Sequence, residues 1–519
     1  MQITFLGHAG FCVETTEAII VMDPWLSPEG AFDSAWFQFP RNHHLATYVQ
    51  EILKDQNRER FVYISHEHKD HFDANFLASL ESSDFTFVVP QFRRDELRRA
   101  LSQYPSKGVI ASKDNEPVPI PGGQIKLFLY DNELNRDSGI LLKADGHSFL
   151  NLNDCKIFDL LPYIAQEDGP IDVYTCQFSG ASWHPTSYNY QQKTYESIAR
   201  KKMFSKFTTV ARSIEAVKPR VFIPAAGPPC FLDPQLFHLN FEPINIFPRI
   251  SKFLKFLDKT IKNSDIHRLE LMPGDVLDAA TAEVNYQGNE RVDDESHESY
   301  MQAYASEYKD FFAERTHVPT EREADQLLRR LRSDLESKLE SFTLHDRVRT
   351  PLFLQLSDMP GKMLRVDFTK KAIAYASRLP ADDYYSVAIP FWEAERALDG
   401  HITWDDLFLT LRVRFNRAPD IYQTVIHGFL SMQAEDMDWF CTRLLEFEAL
   451  QERVVVEAGG VRYSVRRYCP HQGGDLTQGW IEQDRYLTCP RHRWQYDLLN
   501  GGRCTMADAT IDAVCLEED

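Results

Sequence analysis

The sequence of 519 residues contains no long hydrophobic run and no excess of positive charge. No apolar stretch approaches the ~20 residues of a membrane-spanning helix. Its 57 Lys and Arg against 77 Asp and Glu give a formal net charge of −20. This balance argues against nucleic acid or an anionic membrane as a partner, because affinity for phosphates depends on clustered basic side chains. Residues 1–6 are typical of a strand rather than a signal peptide, so we expect a cytoplasmic protein.

Cysteines and Gly-rich turns are also scarce. The nine cysteines are an odd number scattered over the chain, which fits free thiols and metal ligands better than a secreted disulfide framework. No GxGxxG turn of the dinucleotide-binding type occurs. A hydrophobic content of 43% and an aromatic content of 12% are typical of a globular protein with sizeable cores. At this length we expect more than one domain, since single cores seldom exceed roughly 250–300 residues.

Metal-type ligands are concentrated in one short segment, which contains His66, His68, Asp70 and His71. The preceding residues 60–64 are aromatic and β-branched and predict a buried strand, so the ligands follow a strand end, which is a rigid support. The imidazoles at 66 and 68 can turn one way to share an ion, while Asp70 and His71 can turn toward a second ion. The pattern therefore predicts a dinuclear metal site.

Short apolar strands alternate with turns and helical stretches as far as about residue 280, which predicts a layered α/β sandwich. The predicted strands are 19–24, 61–65, 85–89, 125–130, 139–144, 147–152, 171–176 and 220–224, and the predicted helices are 44–56 and 189–217. The HxHxDH pattern, together with Gly-His-Ala-Gly at 7–10 and the apolar run at 20–24, resembles the metallo-β-lactamase fold. That resemblance implies an αββα sandwich.

The same resemblance implies a third ligand for the first metal, a bridging carboxylate and a last ligand for the second metal. The predicted hairpin at 138–154 ends in Asp154, which we expect to be the bridge. Zinc-dependent members place a His just upstream, where this chain offers Glu133. A carboxylate there shifts the metal preference from zinc toward iron or manganese. After the next predicted strand, Asp233 fits the last ligand by spacing and His238 by chemistry.

Near the C-terminus, Cys469 and His471 are followed after seventeen residues by Cys489 and His492. A Rieske cluster has two thiolates on one iron and two imidazoles on the other, so each of its loops delivers one Cys and one His. A zinc site with two Cys and two His is the competing interpretation. The neighbouring Gly-Gly, Trp-Gln-Tyr-Asp and Asn-Gly-Gly sequences resemble Rieske ferredoxins and oxygenases and favour a [2Fe-2S] cluster, which Trp494 would shield or pack against.

The sequence in the middle of the chain predicts a linker helix and a small module. A charged stretch at 321–342 has leucines at helical spacing and predicts an amphipathic linker helix. The sequence at 398–407 resembles sterol-carrier-like modules that are attached to some enzymes of this fold. We expect this module to give structural support or to form dimer contacts. A homo-oligomer is therefore a possible assembly. The expected domains are a metallo-β-lactamase-like dinuclear metal domain (1–280), a helical linker (281–349), a small α+β module (350–447) and an all-β Rieske [2Fe-2S] domain (448–519).

The chain further resembles CMP-N-acetylneuraminate hydroxylase and its relatives, which pair this fold with a Rieske centre and use O2 and reducing equivalents to hydroxylate an unactivated C–H. The likeness is carried by residues 65–71, 146–155, 178–185 and 218–233. Here the Rieske loops follow the metal domain, whereas they precede it in that family, and Glu133 and Asp233 stand where its pattern has histidines. The carboxylate at 133 is similar to that of metallo-β-lactamase-fold diiron hydroxylases of natural-product pathways.

These resemblances imply a monooxygenase in which a Rieske cluster feeds electrons to a diiron site that hydroxylates a small organic substrate, at carbon or at an amine nitrogen. O2 and an external ferredoxin or reductase are the implied partners. One iron would be held by His66, His68 and Glu133, the other by Asp70, His71 and Asp233 or His238, with Asp154 as the bridge. The expected catalytic residues are Glu133, Asp154 and His184, and further pocket candidates are His8 and Tyr188.

Two other classes of function compete with this hypothesis. A dizinc hydrolase, in which a metal-bound hydroxide attacks an ester, amide or lactone, explains the HxHxDH segment but leaves the Rieske loops without a role. A purely redox protein with a degenerate sandwich explains the Rieske loops but not the nearly complete ligand set. The combination of both features favours the diiron monooxygenase.

Overall fold

The computed structural model of the protein describes residues 1–132, 136–263, 265–287, 291–315 and 318–516. Within them the chain forms two compact units: residues 1–131, 136–181 and 196–309 make the first, and residues 132, 182–195 and 310–516 make the second. Glu133 lies outside the described residues. Among the described helices, none has the length and apolar composition needed to cross a membrane.

The first unit contains two sheets in its described part. Its strands are β1 (Gln2–Gly7), β2 (Gly10–Glu14), β3 (Ala18–Met22), β4 (Glu59–Tyr63), β5 (Thr86–Pro90), β6 (Gly108–Ser112), β7 (Pro117–Ile120), β8 (Gly123–Asp131), β9 (Arg136–Ala144), β10 (His147–Asn151), β11 (Val173–Gln177), β12 (Val221–Ala225), β13 (His267–Arg268), β14 (Val276–Asp278) and β15 (Val284–Asn285). The sheet orders are β15-β14-β1-β2-β3-β4-β5-β6 and β13-β12-β11-β10-β9-β8-β7.

Helices cover the outer faces of these two sheets. They are α1 (Leu45–Ile52), α2 (Ala74–Ser79), α3 (Glu96–Leu101), α4 (Leu161–Asp168), α5 (Gln192–Val217) and α6 (Ile250–Thr260), and α7 (His297–Glu307) follows them in the chain. Buried side chains of α1, α2 and α3 share a core with the first sheet. Those of α4, α5 and α6 share a core with the second sheet. The unit is therefore an αββα sandwich, which confirms the predicted metallo-β-lactamase-like fold.

Strand β3 shows why the sequence folds this way. Ile20 and Met22 pack into the core between the two sheets, while Ile19 and Val21 pack into the core beneath the helices. Successive side chains of a strand point to opposite faces, so a strand buried on both faces has a continuous apolar sequence. Such a strand can be recognised from sequence, and the predicted strands of this unit are confirmed to within a few residues of their bounds.

The second unit combines a mixed sheet with two small antiparallel ones. Its strands are β16 (Leu352–Leu356), β17 (Met363–Asp367), β18 (Ala372–Ala376), β19 (Tyr384–Ile389), β20 (Arg414–Ala418), β21 (Arg453–Ala458), β22 (Val461–Arg466), β23 (Trp480–Glu482), β24 (Tyr486–Thr488), β25 (Gln495–Asp497), β26 (Arg503–Cys504) and β27 (Val514–Leu516). The sheet orders are β18-β17-β16-β19-β20, β21-β22-β27 and β23-β24-β25-β26. The remaining helices are α8 (Lys309–Glu314), α9 (Glu321–Ser341), α10 (Phe391–Leu398), α11 (Trp404–Leu409), α12 (Thr424–Ser431) and α13 (Met437–Glu448).

Helix α9 is the helix predicted over 321–342, but it is more than a linker. Its first turn is closed by a capping box, in which Glu323 N donates to Thr320 Oγ1 (3.3 Å) and Thr320 N donates to Glu323 Oε2 (2.7 Å). Its leucines pack into one buried core with Leu354, Leu364 and other side chains of the five-stranded sheet. Helical periodicity identified the apolar face of α9 but could not say what covers it.

The domain boundaries stay a prediction.

Shortening one of these leucines tests whether α9 belongs to the core. Leu331 is 0% exposed, so Leu331→Ala should lower the free energy of unfolding of the second unit by about 2–5 kcal/mol. Arg329→Ala, two residues away on the exposed face, should change it by no more than about 0.5 kcal/mol. Urea unfolding followed by circular dichroism measures both. An effect of Leu331→Ala no larger than that of Arg329→Ala would show that α9 lies outside the core.

Candidate metal centres

Four strand ends bring polar side chains to one edge of the sandwich. His8 follows β1, Asp23 follows β3, the segment from His66 to His71 follows β4, and Asp154 lies three residues after β10. β3 and β4 are parallel, and β1 runs in the same direction because both β1 and β3 are antiparallel to β2. Their carboxyl ends therefore meet at the same edge of the first sheet.

One group of donor atoms comprises His8, Asp70 and His71, all buried. Their ligand atoms lie within 4.8 Å of one another. His8 Nε2 is 3.0 Å from Asp70 Oδ2, and His71 Nε2 is 3.8 Å from the same oxygen. Sequence analysis treated His8 only as a pocket candidate. The structure instead places it within this group of donor atoms.

A second group comprises His66, His71 and Asp154. Asp154 Oδ1 is 3.4 Å from His71 Nε2 and 3.9 Å from His66 Nε2. His68 is adjacent, with its Nδ1 2.9 Å from His66 Nε2. Asp154 thus lies between the imidazole of the 66/68 pair and the imidazole next to Asp70, which is the position that a bridging carboxylate requires.

Three atoms in these groups test whether a cation fits. His71 Nε2, Asp70 Oδ1 and Asp154 Oδ1 are buried and make no hydrogen bond to any described residue. Leaving a buried polar group without a partner costs about 1–3 kcal/mol each, and more for charged groups. A cation coordinated by these nitrogen and oxygen atoms would remove that cost. The residues present therefore fit metal ions with mixed imidazole and carboxylate ligands.

Asp23 fixes the orientation of His71. Its Oδ2 lies 2.9 Å from His71 Nδ1 and accepts a hydrogen bond from Ser65 Oγ (2.7 Å), while its Oδ1 accepts one from Ser65 N (2.8 Å). Asp23 is 1% exposed. A proton on His71 Nδ1 that is donated to Asp23 leaves Nε2 as the coordinating atom. Sequence analysis did not single out Asp23, although the Met-Asp-Pro sequence after β3 marks a strand end.

Burial and mutual charge shape the ionisation of the cluster. Burial disfavours the charged form of His71, but Asp154, Asp70 and Asp23 outweigh it and raise its pKa well above the usual value. Burial likewise opposes ionisation of Asp154, yet His71, His66 and His68 hold its pKa below the ordinary range. Without a metal ion, anionic Asp154 lies beside cationic His71. A bound metal ion would supply the positive charge in place of the proton on His71.

Asp137 is a site residue that sequence analysis missed. It is the second residue of β9 and is 8% exposed, and its Oδ1 is 3.3 Å from His66 Nδ1. Burial and then the charge of Asp154 raise the pKa of Asp137 well above its usual value. β9 is the antiparallel neighbour of β10, so its first residues lie at the edge where β10 delivers Asp154. The pairing of these two strands is the signal that could have revealed Asp137 from the sequence. The predicted hairpin began at residue 138, one residue after it.

Three other expected residues are in neither group. Asp233 is buried and accepts a hydrogen bond from Gln235 N at 2.8 Å. The side chain of His238 is 55% exposed and lies 3.5 Å from Glu242. This exposure disfavours His238 as the last ligand. His184 belongs to the second unit, where its Nε2 is 3.0 Å from the Tyr190 hydroxyl.

The second unit brings the four cysteine and histidine ligands together. The ligand atoms of Cys469, Cys489 and His492 lie within 4.8 Å of one another, and the ring centroids of His471 and His492 are 4.6 Å apart. The two loops have the same backbone pattern. The N–H of Cys469 donates to the carbonyl five residues later, and its own carbonyl accepts from the N–H four residues later, each at 2.9 Å. Cys489 makes the same two hydrogen bonds.

The surroundings of these ligands fit a thiolate-bound cluster. A Cβ on Gly474 would lie 2.8 Å from Cys489 Sγ, so the first loop must have glycine there. The Tyr496 hydroxyl is 3.0 Å from Cys469 Sγ. Burial, and then the proximity of Cys489, raise the pKa of the Cys469 thiol, so iron binding is what would keep it as a thiolate. Trp494 stacks on His471 at 3.9 Å and shields it.

Comparison with known families supports the Rieske cluster of the second unit and the fold of the first. Residues 431–514 match the Rieske [2Fe-2S] domain, and residues 2–126 match the beta-lactamase superfamily domain. The chain therefore joins a metallo-β-lactamase-fold domain to a C-terminal Rieske domain, as expected from the ligand spacings. A Rieske domain is an electron-transfer module with a [2Fe-2S] cluster.

Two mycobacterial proteins, named as Rieske 2Fe-2S iron-sulfur proteins, are similar over nearly the whole chain. That of Mycolicibacterium smegmatis is 28% identical over 530 residues, covering 97% of this chain and 98% of its own. That of Mycobacterium tuberculosis is 28% identical over 533 residues, covering 98% of each. Among solved structures, a metallo hydrolase of Ignicoccus hospitalis covers 53% of this chain and 97% of its own, with 18% identity and a TM-score of 0.35. The diiron beta-hydroxylase CmlA of Streptomyces venezuelae covers 52% and 53%, with 13% identity and a TM-score of 0.33.

Removing the charge of Asp23 tests its support of His71. Asp23→Asn should lower the affinity of the first unit for Fe²⁺ by about 10–100-fold, the usual effect of losing such a partner of a metal ligand. Competition with a metal-sensitive chelator under anaerobic conditions measures it. Asp258→Asn is the control, because that side chain is 62% exposed on α6. Equal affinities for the parent and Asp23→Asn would contradict the role given to Asp23.

Proposed function

We propose that the protein is an oxygen-dependent monooxygenase, in which a Rieske cluster feeds electrons to a diiron site that hydroxylates a small organic substrate. The observation that carries the proposal is the presence in one chain of a Rieske ligand set and of two adjoining groups of imidazole and carboxylate donors. Hydrolysis requires no electrons, so a hydrolase would leave the Rieske domain without a role. Activation of O2 requires them.

The residues proposed to hold the two irons follow from the two donor groups. One iron would be held by His66, His68 and Glu133, the other by Asp70, His71 and Asp233 or His8, with Asp154 between them. Carboxylates beside imidazoles suit iron better than a site built from imidazole alone. When bound there, two irons supply the redox chemistry that activates O2.

The chain's own residues prepare this site. Asp23 holds the proton of His71 on Nδ1 and so directs Nε2 to the metal. Asp137, beside His66 Nδ1, supports that imidazole in a corresponding way. The core between the two sheets packs apolar side chains against the ligand-bearing strands and so holds the strand ends in place.

The overall reaction fixes what the partners must supply. Hydroxylation of a substrate R–H by O2 consumes two electrons and two protons and gives R–OH and water. A [2Fe-2S] cluster carries one electron at a time, so an external donor must reduce it twice per turnover. No GxGxxG turn for a nicotinamide or flavin nucleotide occurs in the sequence. A ferredoxin or a separate reductase is therefore the proposed donor.

Metal content tests the proposal against its rivals. Protein purified anaerobically should contain four irons and two acid-labile sulfides per chain, with the visible absorption of a Rieske cluster. Inductively coupled plasma mass spectrometry and sulfide assay measure these quantities. Two zinc ions with no sulfide would overturn the monooxygenase and favour a dizinc hydrolase. Two irons and two sulfides with an empty first unit would favour an electron-transfer protein.

Variants of single ligands should separate the two centres. Cys489→Ser should remove the Rieske absorption and leave the iron of the first unit, whereas Asp154→Ala should do the reverse. Glu133→Ala should lower iron in the first unit if its carboxylate is a ligand. All three should abolish O2 consumption that depends on an added ferredoxin and reductase. Undiminished consumption in Asp154→Ala would contradict the proposed role of the dinuclear site.

A further inference from the structure

A column of aromatic rings extends from the Rieske ligand His471 into the neighbouring five-stranded sheet module of the second unit. The ring of His471 stacks on Trp494, with centroids 3.9 Å apart and an interplanar angle of 14°. The edge of Tyr422 meets both rings, at 5.7 Å from each. Tyr422 in turn stacks on His427 at 4.4 Å and 18°. His427 belongs to α12, which precedes the Rieske match.

The backbone on either side of Tyr422 is firmly held. Its N–H donates to the carbonyl of Met506 (3.1 Å) and its carbonyl accepts from Asp508 N (3.2 Å), and both partners lie within the Rieske match. The Tyr385 hydroxyl donates to the carbonyl of the preceding residue (2.5 Å) and accepts from the N–H of the following one (2.9 Å). Tyr422 is thus attached at once to the Rieske domain and to the sheet module.

His427 is an unusual residue for a core. It is 2% exposed, and neither ring nitrogen has a hydrogen-bond partner among the described residues. Burial, and then Arg417 and His471, lower the pKa of His427 to about 3, so its ring is neutral. On the far side from Tyr422, its ring lies 6.1 Å from Trp183 in a stacked arrangement. A leucine would fill this space without leaving two nitrogens unsatisfied, so packing alone does not explain the imidazole.

We propose that Tyr422 and His427 form the route by which electrons leave the Rieske centre, from the ligand His471 toward Trp183. This inference rests on the proposed function, which supplies the acceptor. Trp183 is the second residue of the segment 182–195, which begins five residues after the end of β11.

The redox step moves one electron and breaks no bond. With both groups bound, the reduced [2Fe-2S] centre would give up one electron and the dinuclear iron site would accept it. The rings serve as a packed medium for tunnelling and are not themselves oxidised. Packed aromatic rings favour electronic coupling over a gap filled with water or aliphatic side chains. The hydroxyl of Tyr422 is not required by this mechanism, but its ring is.

The test follows cluster reoxidation in the full-length chain. Protein with both centres loaded is reduced with dithionite under nitrogen and mixed with O2-saturated buffer, and stopped-flow absorption records the rate at which the Rieske bands return. The rate in Asp154→Ala gives the part that does not depend on the dinuclear site. The site-dependent rate of the parent or of a variant is its reoxidation rate minus the rate in Asp154→Ala. These site-dependent rates are the quantities compared. Electron paramagnetic resonance of each reduced variant checks that the cluster is intact.

The expected rates distinguish a need for an aromatic ring from a need for the tyrosine hydroxyl or the histidine nitrogens. Tyr422→Leu and His427→Leu should lower the site-dependent rate by roughly tenfold or more, the scale on which residues that support metal centres act. Tyr422→Phe and His427→Phe, which keep a ring, should restore it. Tyr375→Leu is the control, because that ring is 56% exposed on β18.

Two results would overturn the inference in different ways. Unchanged site-dependent rates in both leucine variants, with intact clusters, would remove the route and leave the proposed function standing. Equal rates in the parent and in Asp154→Ala would remove the proposed function and the route that rests on it. If Tyr422→Leu fails to assemble the cluster, His427→Leu decides the question, because His427 lies outside the Rieske match.

Discussion

The ion pair between His71 and Asp23 is the interaction on which the first centre depends. In a dry interior, charged groups are stable only when each is matched, and removing one partner of such a pair typically costs about 3–5 kcal/mol. Asp23 has φ +40° and His8 has φ +52°, values that disfavour residues with a Cβ. The fold tolerates this conformation at the ends of β3 and β1, where it turns both side chains to the edge that carries the other ligands. Strain of this kind is concentrated at functional sites.

The two centres solve different coordination problems within one chain. The first uses imidazole and carboxylate from four separate strand ends, so its geometry depends on the whole sandwich. The Rieske ligands come from two loops with matching backbone hydrogen bonds, so each half of that site is fixed locally. Mixed imidazole and carboxylate ligands suit single metal ions of the first transition row, and two thiolates with two imidazoles suit a [2Fe-2S] cluster.

Local spacing explains which parts of the sites could be predicted. His66, His68, Asp70 and His71 share one segment, and the Rieske ligands repeat a short pattern, so the sequence alone identifies them. Asp154 followed from the hairpin that precedes it. Asp23 and Asp137 could not be found in this way, because each reaches its histidine across strands that are far apart in sequence. The leucines of α9 likewise predicted a helix but not the sheet that covers it.

The contacts of Tyr422 restrict motion within the second unit. Its backbone pairs with the Rieske loop at 506–508, while its ring stacks on α12 of the sheet module. Helix α13, at the start of the Rieske match, buries Phe440 and Leu444 in the same core as that module. A Rieske domain tied by a backbone bridge, a ring stack and a helix cannot swing on its own without breaking all three. The position of His471 relative to His427 is therefore a fixed property of the fold, and the proposed route between them runs through rings that keep their packing.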